Sequence, residues 1–407
     1  MSLPGLPSVS LIIVSRGRPA LLARCMTAVA QMDHPAFEVI VVADPTGLAA
    51  IAGQPVKALP FDEANISAAR NLGVAAAAGD VVAFIDDDAV PEPLWLWYLT
   101  QPFADPAVVS AGGFVLGWNG ISLEWAGGKV SSTLETGALA IPDGQASLHP
   151  NRPGQAIEVK GVNSAYRRQA LLQAGGFDPL LRYYLDETEL NLRLAQLGGL
   201  TAVVPLARVH HTKAESRQRQ ANRVPKSLYD VGFSTAITLR RHAGVTGLDL
   251  AHHRLRQAEE AKLARFVARR LINAADAKQL IGTHDQGFSD ALLADLPPCL
   301  PLTDGRQPFH HFPSATRPVV VLAGRPWAAR SLRTKAAALA RQGSIVCLFI
   351  FSPTALFHRR RFAGGVWIQR GGLFGKSDRS DPIFHLWRFS RRLSRESARF
   401  LPGFRKT

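Results

Sequence analysis

The chain has 407 residues, enough for two domains and a sizeable core, and a composition of 47% hydrophobic and 19% charged residues excludes wholesale disorder. Its three cysteines, Cys25, Cys299 and Cys347, are too few and too far apart for a disulfide framework and fit reduced thiols in a cytosol. The formal net charge is +15, of which +10 falls between Arg359 and Lys406, so the basicity belongs mainly to the tail. A solvated basic surface explains that tail as well as an anionic lipid, glycan or nucleic acid partner does.

The start, Met1-Ser2-Leu3-Pro4-Gly5, has no basic leader region, and no apolar run approaches the ~20 residues of a spanning helix. Residues 9–14 read as a strand, and Arg18-Pro19 opens a helix with proline in its first turn. Residues 37–42 form the next strand and end at Asp44-Pro45. An Ala-rich helix begins at Asn65 and stops at Gly79. Val81-Val82-Ala83-Phe84-Ile85 is an unbroken apolar run, the mark of a strand buried on both faces, and it leads straight into Asp86-Asp87-Asp88. Pro91 starts another helix, 107–116 and 157–162 read as strands, and Gly175-Gly176 ends a helix over 167–174. Leu190, Leu194 and Leu197 stripe a helix over 186–197, and two short extended segments follow at 200–205 and 207–211. This alternation predicts a largely parallel α/β sheet.

Beyond residue 215 the character changes. Residues 255–281 read as one amphipathic helix with Leu263, Phe266, Val267 and Leu271 on one side. Pro297-Pro298, Pro301, Pro308 and Pro313 mark a linker. Residues 319–323, 328–341 and 344–351 read as a β-α-β unit, and an Arg-rich helix runs from about Pro382. Leu386, Trp387, Phe389 and Leu393 interleaved with arginines suit an anionic membrane surface. The expected division is 1–225, a helical region over 226–290, a linker over 291–317, and a small α/β module with a basic tail over 318–407. That module reads equally as an accessory unit, a dimerisation element or a remnant of a second nucleotide-binding domain. Val321-Leu322-Ala323-Gly324 lacks the glycine spacing of a dinucleotide site.

Three carboxylates at the carboxyl end of a core strand sit where open α/β sheets place their ligands. Adjacent acids repel one another unless something binds, and their oxygens suit Mg²⁺ or Mn²⁺, which also holds a diphosphate. Further motifs follow in order: Ala68-Ala69-Arg70-Asn71-Leu72-Gly73, Gly79-Asp80, Gly161-Val162-Asn163-Ser164-Ala165-Tyr166, Gly175-Gly176-Phe177-Asp178, and Tyr184-Leu185-Asp186-Glu187-Thr188-Glu189-Leu190. Together, over about residues 8–215, they resemble the inverting family-2 glycosyltransferases of the GT-A fold, a Rossmann-like nucleotide-diphospho-sugar transferase fold with a mixed, mostly parallel sheet.

The resemblance implies a D-x-D site at Asp86 and Asp88, with Asp87 sharing contact to metal, diphosphate or ribose. It implies a base at Glu187, with Asp186 the alternative because the acidic pair is reversed in type. Ser15, Arg16, Asp44 and Arg70 fall at donor positions, although Val14-Ser15-Arg16-Gly17-Arg18 departs from the usual pattern and Ser15 serves equally as a turn residue. His211 matches a third metal ligand, with His210 the fallback. Asn163 falls on the acceptor side, and Trp118 and Trp125 either stack on sugar faces or simply pack. Arg217, Arg219 and Arg223 either close over the diphosphate or form an exposed basic helix. Glu189 reads as a surface i,i+4 partner of Arg193.

The implied activity is metal-dependent transfer of one sugar from a nucleotide-diphosphate sugar to a glycan, lipid-linked or small-molecule hydroxyl. UDP-sugars are the family's commonest donors, and bacterial envelope or capsule glycan assembly is the setting the resemblance implies. Processive synthases are disfavoured, because the chain lacks both a spanning helix and a Q-x-x-R-W motif. The alternatives are a nucleotidyltransferase of similar fold and a non-catalytic protein that binds membrane or nucleic acid through its tail. The expected location is the cytoplasm, peripherally at the inner face of a membrane; nucleic acid is not an expected partner.

Overall fold

A computed structural model describes residues 6–142, 144–215 and 218–400. The amino-terminal half alternates strand and helix: β1 (Val9–Ser15), α1 (Pro19–Val29), β2 (Phe37–Ala43), α2 (Pro45–Ala50), β3 (Lys57–Pro60), α3 (Ile66–Ala76) and β4 (Val81–Asp86). Helical crossovers of this length force parallel pairing. β1 pairs with β2 on one side and β4 on the other, which aligns Ser15 with Ala43 and Val14 with Asp86. All three strands are buried almost throughout, and that is why their sequences run apolar without alternation.

The sheet is completed by β5 (Ala89–Pro91), which precedes α4 (Trp95–Thr100), and by β6 (Val108–Leu116) and β7 (Leu123–Trp125). A separate three-stranded sheet joins β8 (Gly128–Ser131) and β9 (Thr136–Ala138) to β11 (Gln155–Glu158), while β10 (Ser147–Pro150) returns to the main sheet. After β12 (Ser164–Arg167) come α5 (Arg168–Gln173), α6 (Asp186–Leu197) and β13 (Leu200–His211). The main sheet has ten strands, with β10-β13-β6-β12-β4-β1-β2-β3 in order and β5 and β7 pairing off that path. β12 enters antiparallel between β4 and β6, so the fold is α/β with a mixed, mostly parallel sheet.

Two strand expectations change. Residues 157–162 are not one strand: β11 stops at Glu158, and a turn in which Lys160 O accepts from Asn163 N at 2.7 Å leads to β12. The segments at 200–205 and 207–211 are one strand, β13, with a register shift between Val204 and Val209 at Pro205, which has no N–H to give the ladder.

The helix expected over 255–281 is two helices. α7 (Tyr229–His242) and α8 (Gly244–Ala268) precede α9 (Ala274–Leu293), and Asn273 opens α9 with a capping box to Asp276. α7 and α9 cross so closely that a Cβ on Gly232 would lie 2.0 Å from His284 O, and one on Gly287 2.1 Å from Tyr229 O. The proline-rich stretch is strapped to the first unit, with Phe312 N donating to Phe37 O at 2.7 Å and Leu302 N to Leu172 O at 2.9 Å.

The carboxyl-terminal module contains β14 (Val319–Gly324), α10 (Ala329–Arg341), β15 (Ile345–Ser352), β16 (Arg359–Ala363) and β17 (Val366–Gly372) in the order β14-β15-β17-β16. One sheet face, with Phe349, Phe351 and Trp367, packs against Ala28 and Val90 of the first unit and against α11 (Phe389–Phe400). The other face takes α10 over Leu348, Ile350 and Ile368. α11 is not a free basic tail. Arg392 and Glu396 are each 1% exposed and paired at 3.1 Å, Arg399 pairs with Asp378 at 2.7 Å, and Arg395 pairs with Asp381. Arg405 and Lys406 lie outside the described residues. Among the described residues no helix is long and apolar enough to cross a membrane.

Candidate active site

Because β1, β2 and β4 are parallel and in register, their carboxyl ends share one rim. A cavity of about 890 Å³ opens there, lined by Arg16, Arg18, Asp44, Asp86 and Asp88 among others. A second hollow of about 790 Å³ is lined by Asp86, Glu124, Trp125, Lys160, Asp186 and Glu187. Asp86 and His211 line both, so the acidic end of β4 and the carboxylates of α6 face one continuous cleft.

Asp86, Asp88 and His211 each offer a ligand atom, and these atoms lie within 4.8 Å of one another. β13 pairs antiparallel with β5, which sets His211 opposite Ala89. Strand alternation then turns His210 away, where its Nε2 lies 3.0 Å from Glu92 Oε1 and its ring rests on Trp367. His211 Nε2 is 3.3 Å from Asp88 Oδ1, and its Nδ1 is 3.3 Å from Glu124 Oε1. Against burial, these two hydrogen bonds push the imidazole up to about 9. Burial opposes ionisation of Asp88, yet the His211 hydrogen bond and charge, with Arg18 and the Ala214 N–H, hold it well below the usual carboxylate range. Burial raises Asp86. Two carboxylates and an imidazole make a hard-to-borderline donor set, and it fits Mg²⁺ or Mn²⁺.

Asp87 does not join them. The turn that follows β4 sends it beneath the rim, fully buried, where Ser15 Oγ donates to its Oδ2 at 2.6 Å and Arg18 Nη2 meets its Oδ1 at 2.5 Å. It anchors the loop, and burial pushes it up to about 7 with Arg18 and Ser15 opposing.

α6 begins after two non-glycine residues in the left-handed region, Tyr184 (φ 72°) and Leu185 (φ 63°). This strained entry aims the first helical turn at the cleft. Asp186 pairs there with Arg70, whose other Nη lies 3.3 Å from Asp86 Oδ1. Arg70 is 3% exposed and lies over the Phe177 ring at 5.1 Å. Gly161 leaves it room, since a Cβ there would stand 2.5 Å from Arg70 Nη2. Burial pushes Asp186 up to about 7, with the charge of Glu187 adding and Arg70 opposing. Burial works against Glu187 too, yet the charges of Lys160 and Arg70 hold it below the ordinary range. Glu189 is no surface residue: it is fully buried between Arg193 at 2.6 Å and His242 at 3.1 Å.

The other expected residues are placed as follows. Ser15 is spent on Asp87. Arg16 stands on the wall of the first cavity and pairs with Asp62 at 2.7 Å. Asp44 lines the same wall, but its oxygens accept from Gly17 N at 3.0 Å and from Thr46 Oγ1. Arg70 is buried against the second hollow and does not line the first. Asn163 is not an acceptor contact: fully buried, it accepts from Trp95 Nε1 at 2.7 Å and donates to Phe114 O at 3.0 Å and Ala207 O at 2.9 Å. Trp118 lines a different cavity, formed with the carboxyl-terminal module, while Trp125 lines the cleft. Arg219 lines both halves of the cleft, and Arg217 lies outside the described residues.

Sequence reasoning missed Arg18, Glu124, Lys160 and Lys213, the last 2.9 Å from Glu124. Only Arg18 carried a signal, its position just past the first strand. The others are single charges without motif spacing.

Residues 7–224 match the model of a family described as "Glycosyltransferase like family 2". A pre-mycofactocin glycosyltransferase of Mycobacterium tuberculosis is 32% identical over 149 residues, 36% of this chain and 29% of that protein. A glucosyl-dolichyl phosphate glucuronosyltransferase of Haloferax volcanii is 29% identical over 115 residues, 28% of this chain and 34% of that protein. The matched segments thus span about a third of these relatives. Among solved structures, GalNAc-T7 with UDP, GalNAc and Mn²⁺ gives a TM-score of 0.47 at 16% identity, over 73% of this chain and 59% of that one. The mannosyltransferase PcManGT from Pyrobaculum calidifontis, with GDP-Man and Mn²⁺, gives 0.37 at 17% identity, over 72% and 77%. With more than half of its length matched by the family model, the chain belongs to the glycosyltransferase-like family 2.

Proposed function

We propose that the protein is a metal-dependent inverting glycosyltransferase that moves one sugar from a nucleotide-diphosphate sugar to an acceptor hydroxyl. The observation that supports this most directly is the single cleft bounded by the Asp86–Asp88–His211 cluster on one side and by the buried Asp186 with the half-buried Glu187 on the other. Asp86, Asp88 and His211 would hold Mg²⁺ or Mn²⁺, which supplies neutralising charge for a diphosphate leaving group. Arg16, Arg18 and Asp44 line the wall that would meet the nucleotide.

On the other side, Glu187 is the group that accepts the proton. It lines the cleft, stays ionised beside Lys160, and stands on a buried helix that fixes its position. Asp186 is taken up by Arg70 and serves as a positioning residue for both the base and Asp86. The acceptor is a glycan or lipid-linked hydroxyl in envelope or capsule assembly, and the protein works in the cytoplasm at the face of an anionic membrane. The exposed stretch around Ile383, Phe384 and Leu386, beside Arg379, Arg388 and Arg391, would touch that membrane.

A panel of nucleotide sugars with and without Mn²⁺, read by thermal shift and then by release of nucleoside diphosphate, tests the activity. We expect at least one donor to stabilise the protein only with metal and to turn over only with Glu187 present. Metal-independent binding, or full turnover by Glu187→Gln, refutes the reading. Pelleting with anionic vesicles, compared with Ile383→Ser/Leu386→Ser, tests the membrane contact; equal pelleting removes it.

A further inference from the structure

The third large cavity, about 870 Å³, lies outside the cleft, at the carboxyl ends of β14, β15 and β17. That is where an open parallel sheet receives ligands. Register fixes what faces it. Arg359 on β16 pairs directly with Arg370 on β17, Arg361 pairs with Ile368, and Ile350 of β15 lies beside Arg370. Alternation puts Arg359, Arg361 and Arg370 on one face, and all three line the cavity and are exposed. Like charges directly opposite across a ladder oppose pairing.

No carboxylate lines this cavity, and among the described residues none of the three arginines has an acidic partner. The contrast with Arg360 is instructive: one position along β16 it points the other way, is buried, and bonds Gln369 Oε1 at 2.8 Å. The remaining wall is apolar and aromatic. Trp118, 55% exposed, comes from the turn before β7 and lies under the Arg359 guanidinium at 4.8 Å. Leu356 and Phe357 are 65% and 60% exposed, and Phe357 is capped by Lys376 Nζ at 5.6 Å.

We infer that this cavity is a second ligand site, one that binds an organic phosphate. The phosphate oxygens meet Arg359, Arg361 and Arg370, and an apolar substituent lies along Ile350, Leu356 and Phe357. Planar guanidinium forks match phosphate oxygens in pairs, and a multiply charged oxyanion relieves the repulsion built into the strand pair. A neutral sugar would leave the arginines unanswered, and a bare phosphate would leave the apolar wall wet. The site is independent of the proposed transferase activity: it uses no residue of the cleft.

The test is calorimetric titration of the full chain with octyl phosphate in EDTA, which silences any metal-dependent diphosphate binding. Wild type and Asp88→Ala should bind alike. Arg359→Ala/Arg370→Ala, and separately Arg361→Ala, should weaken binding at least about tenfold while the unfolding midpoint holds, and octyl glucoside or inorganic phosphate alone should bind at least about tenfold more weakly than octyl phosphate. Vesicles containing phosphatidic acid separate the sources of the ligand. Arginine-dependent pelleting identifies a lipid headgroup, whereas octyl phosphate binding without pelleting identifies a soluble phosphoester. Equal binding by wild type and both arginine variants, or no saturable binding of octyl phosphate, overturns the inference.

Discussion

Arg70→Met isolates the charge that joins the two halves of the cleft. Methionine keeps much of the stem that lies between Phe84 and Phe177 but removes the guanidinium from Asp186 and Asp86. Breaking a buried pair by deleting one partner costs about 3–5 kcal/mol, because the remaining charge is left without compensation. The cost must depend on pH. With Arg70 present, Asp186 is already pushed up to about 7, above its unfolded value near 3.8. A carboxyl whose folded pKa is raised binds its proton in the native state while the unfolded chain has released it. Its contribution therefore favours folding at low pH and is lost as pH rises from about 4 through 7. Removing Arg70 raises Asp186 further and extends that loss upward. At pH 5.5 Asp186 is protonated in both proteins, so the difference should shrink to the contact over the rings, about 0.5–2 kcal/mol. At pH 8.5 it should be larger by up to about 2 kcal/mol, because wild-type Asp186 ionises against Arg70 over the roughly 1.5 pH units above 7 while the variant's Asp186 keeps its proton. Urea unfolding of wild type and variant at both pH values, in EDTA, measures it. Equal destabilisation at the two pH values, within about 1 kcal/mol, would show that Arg70 is a packing residue and that the charge argument fails.

Three further outcomes follow from the same geometry. Glu187→Gln should lower kcat by about 10²–10⁴ with little change in donor KM, as loss of a general base does, measured as nucleoside diphosphate released per enzyme. Wild-type kcat/KM should fall as pH drops below about 7, when Asp186 takes a proton and hydrogen-bonds Glu187, and Asp186→Asn should flatten that limb of the profile. Asn163→Ala should destabilise the protein by about 2–4 kcal/mol in urea, because it orphans three buried groups, and should leave acceptor KM unchanged in the surviving folded fraction.

What was legible in the sequence is what depends on neighbours in the chain. The run over residues 81–85 announced a two-sided buried strand, and its acidic end announced a site. Less legible is what turn geometry or distant packing decides. Asp87 looks like its neighbours in sequence, but the turn between β4 and β5 carries it beneath the rim to Ser15 and Arg18. Asn163 sits in a recognisable motif, yet its partners are Trp95, Phe114 and Ala207, and no local pattern names them. The break between α8 and α9 was written in the Asn273-to-Asp276 capping box and was hidden by the apolar stripe on either side. The tail's surplus of arginines gave no sign that α11 turns Arg392 inward to Glu396.

Four acids of the cleft arrive as close pairs, Asp86 with Asp88 and Asp186 with Glu187, while Glu124, Glu158 and the cations arrive singly. Arg18 comes from the loop after β1, Arg70 from α3, Lys160 from the turn between β11 and β12, and Lys213 from beyond β13. Each cation is held by a different element, so none can follow a carboxylate that moves. A buried acid without a partner protonates instead of ionising, which makes the ionised state of the α6 pair a property of the assembled sheet rather than of the helix. Asp86 and Asp88 at the end of β4 and His211 at the end of β13 likewise bring their ligand atoms within 4.8 Å of one another only in the assembled sheet.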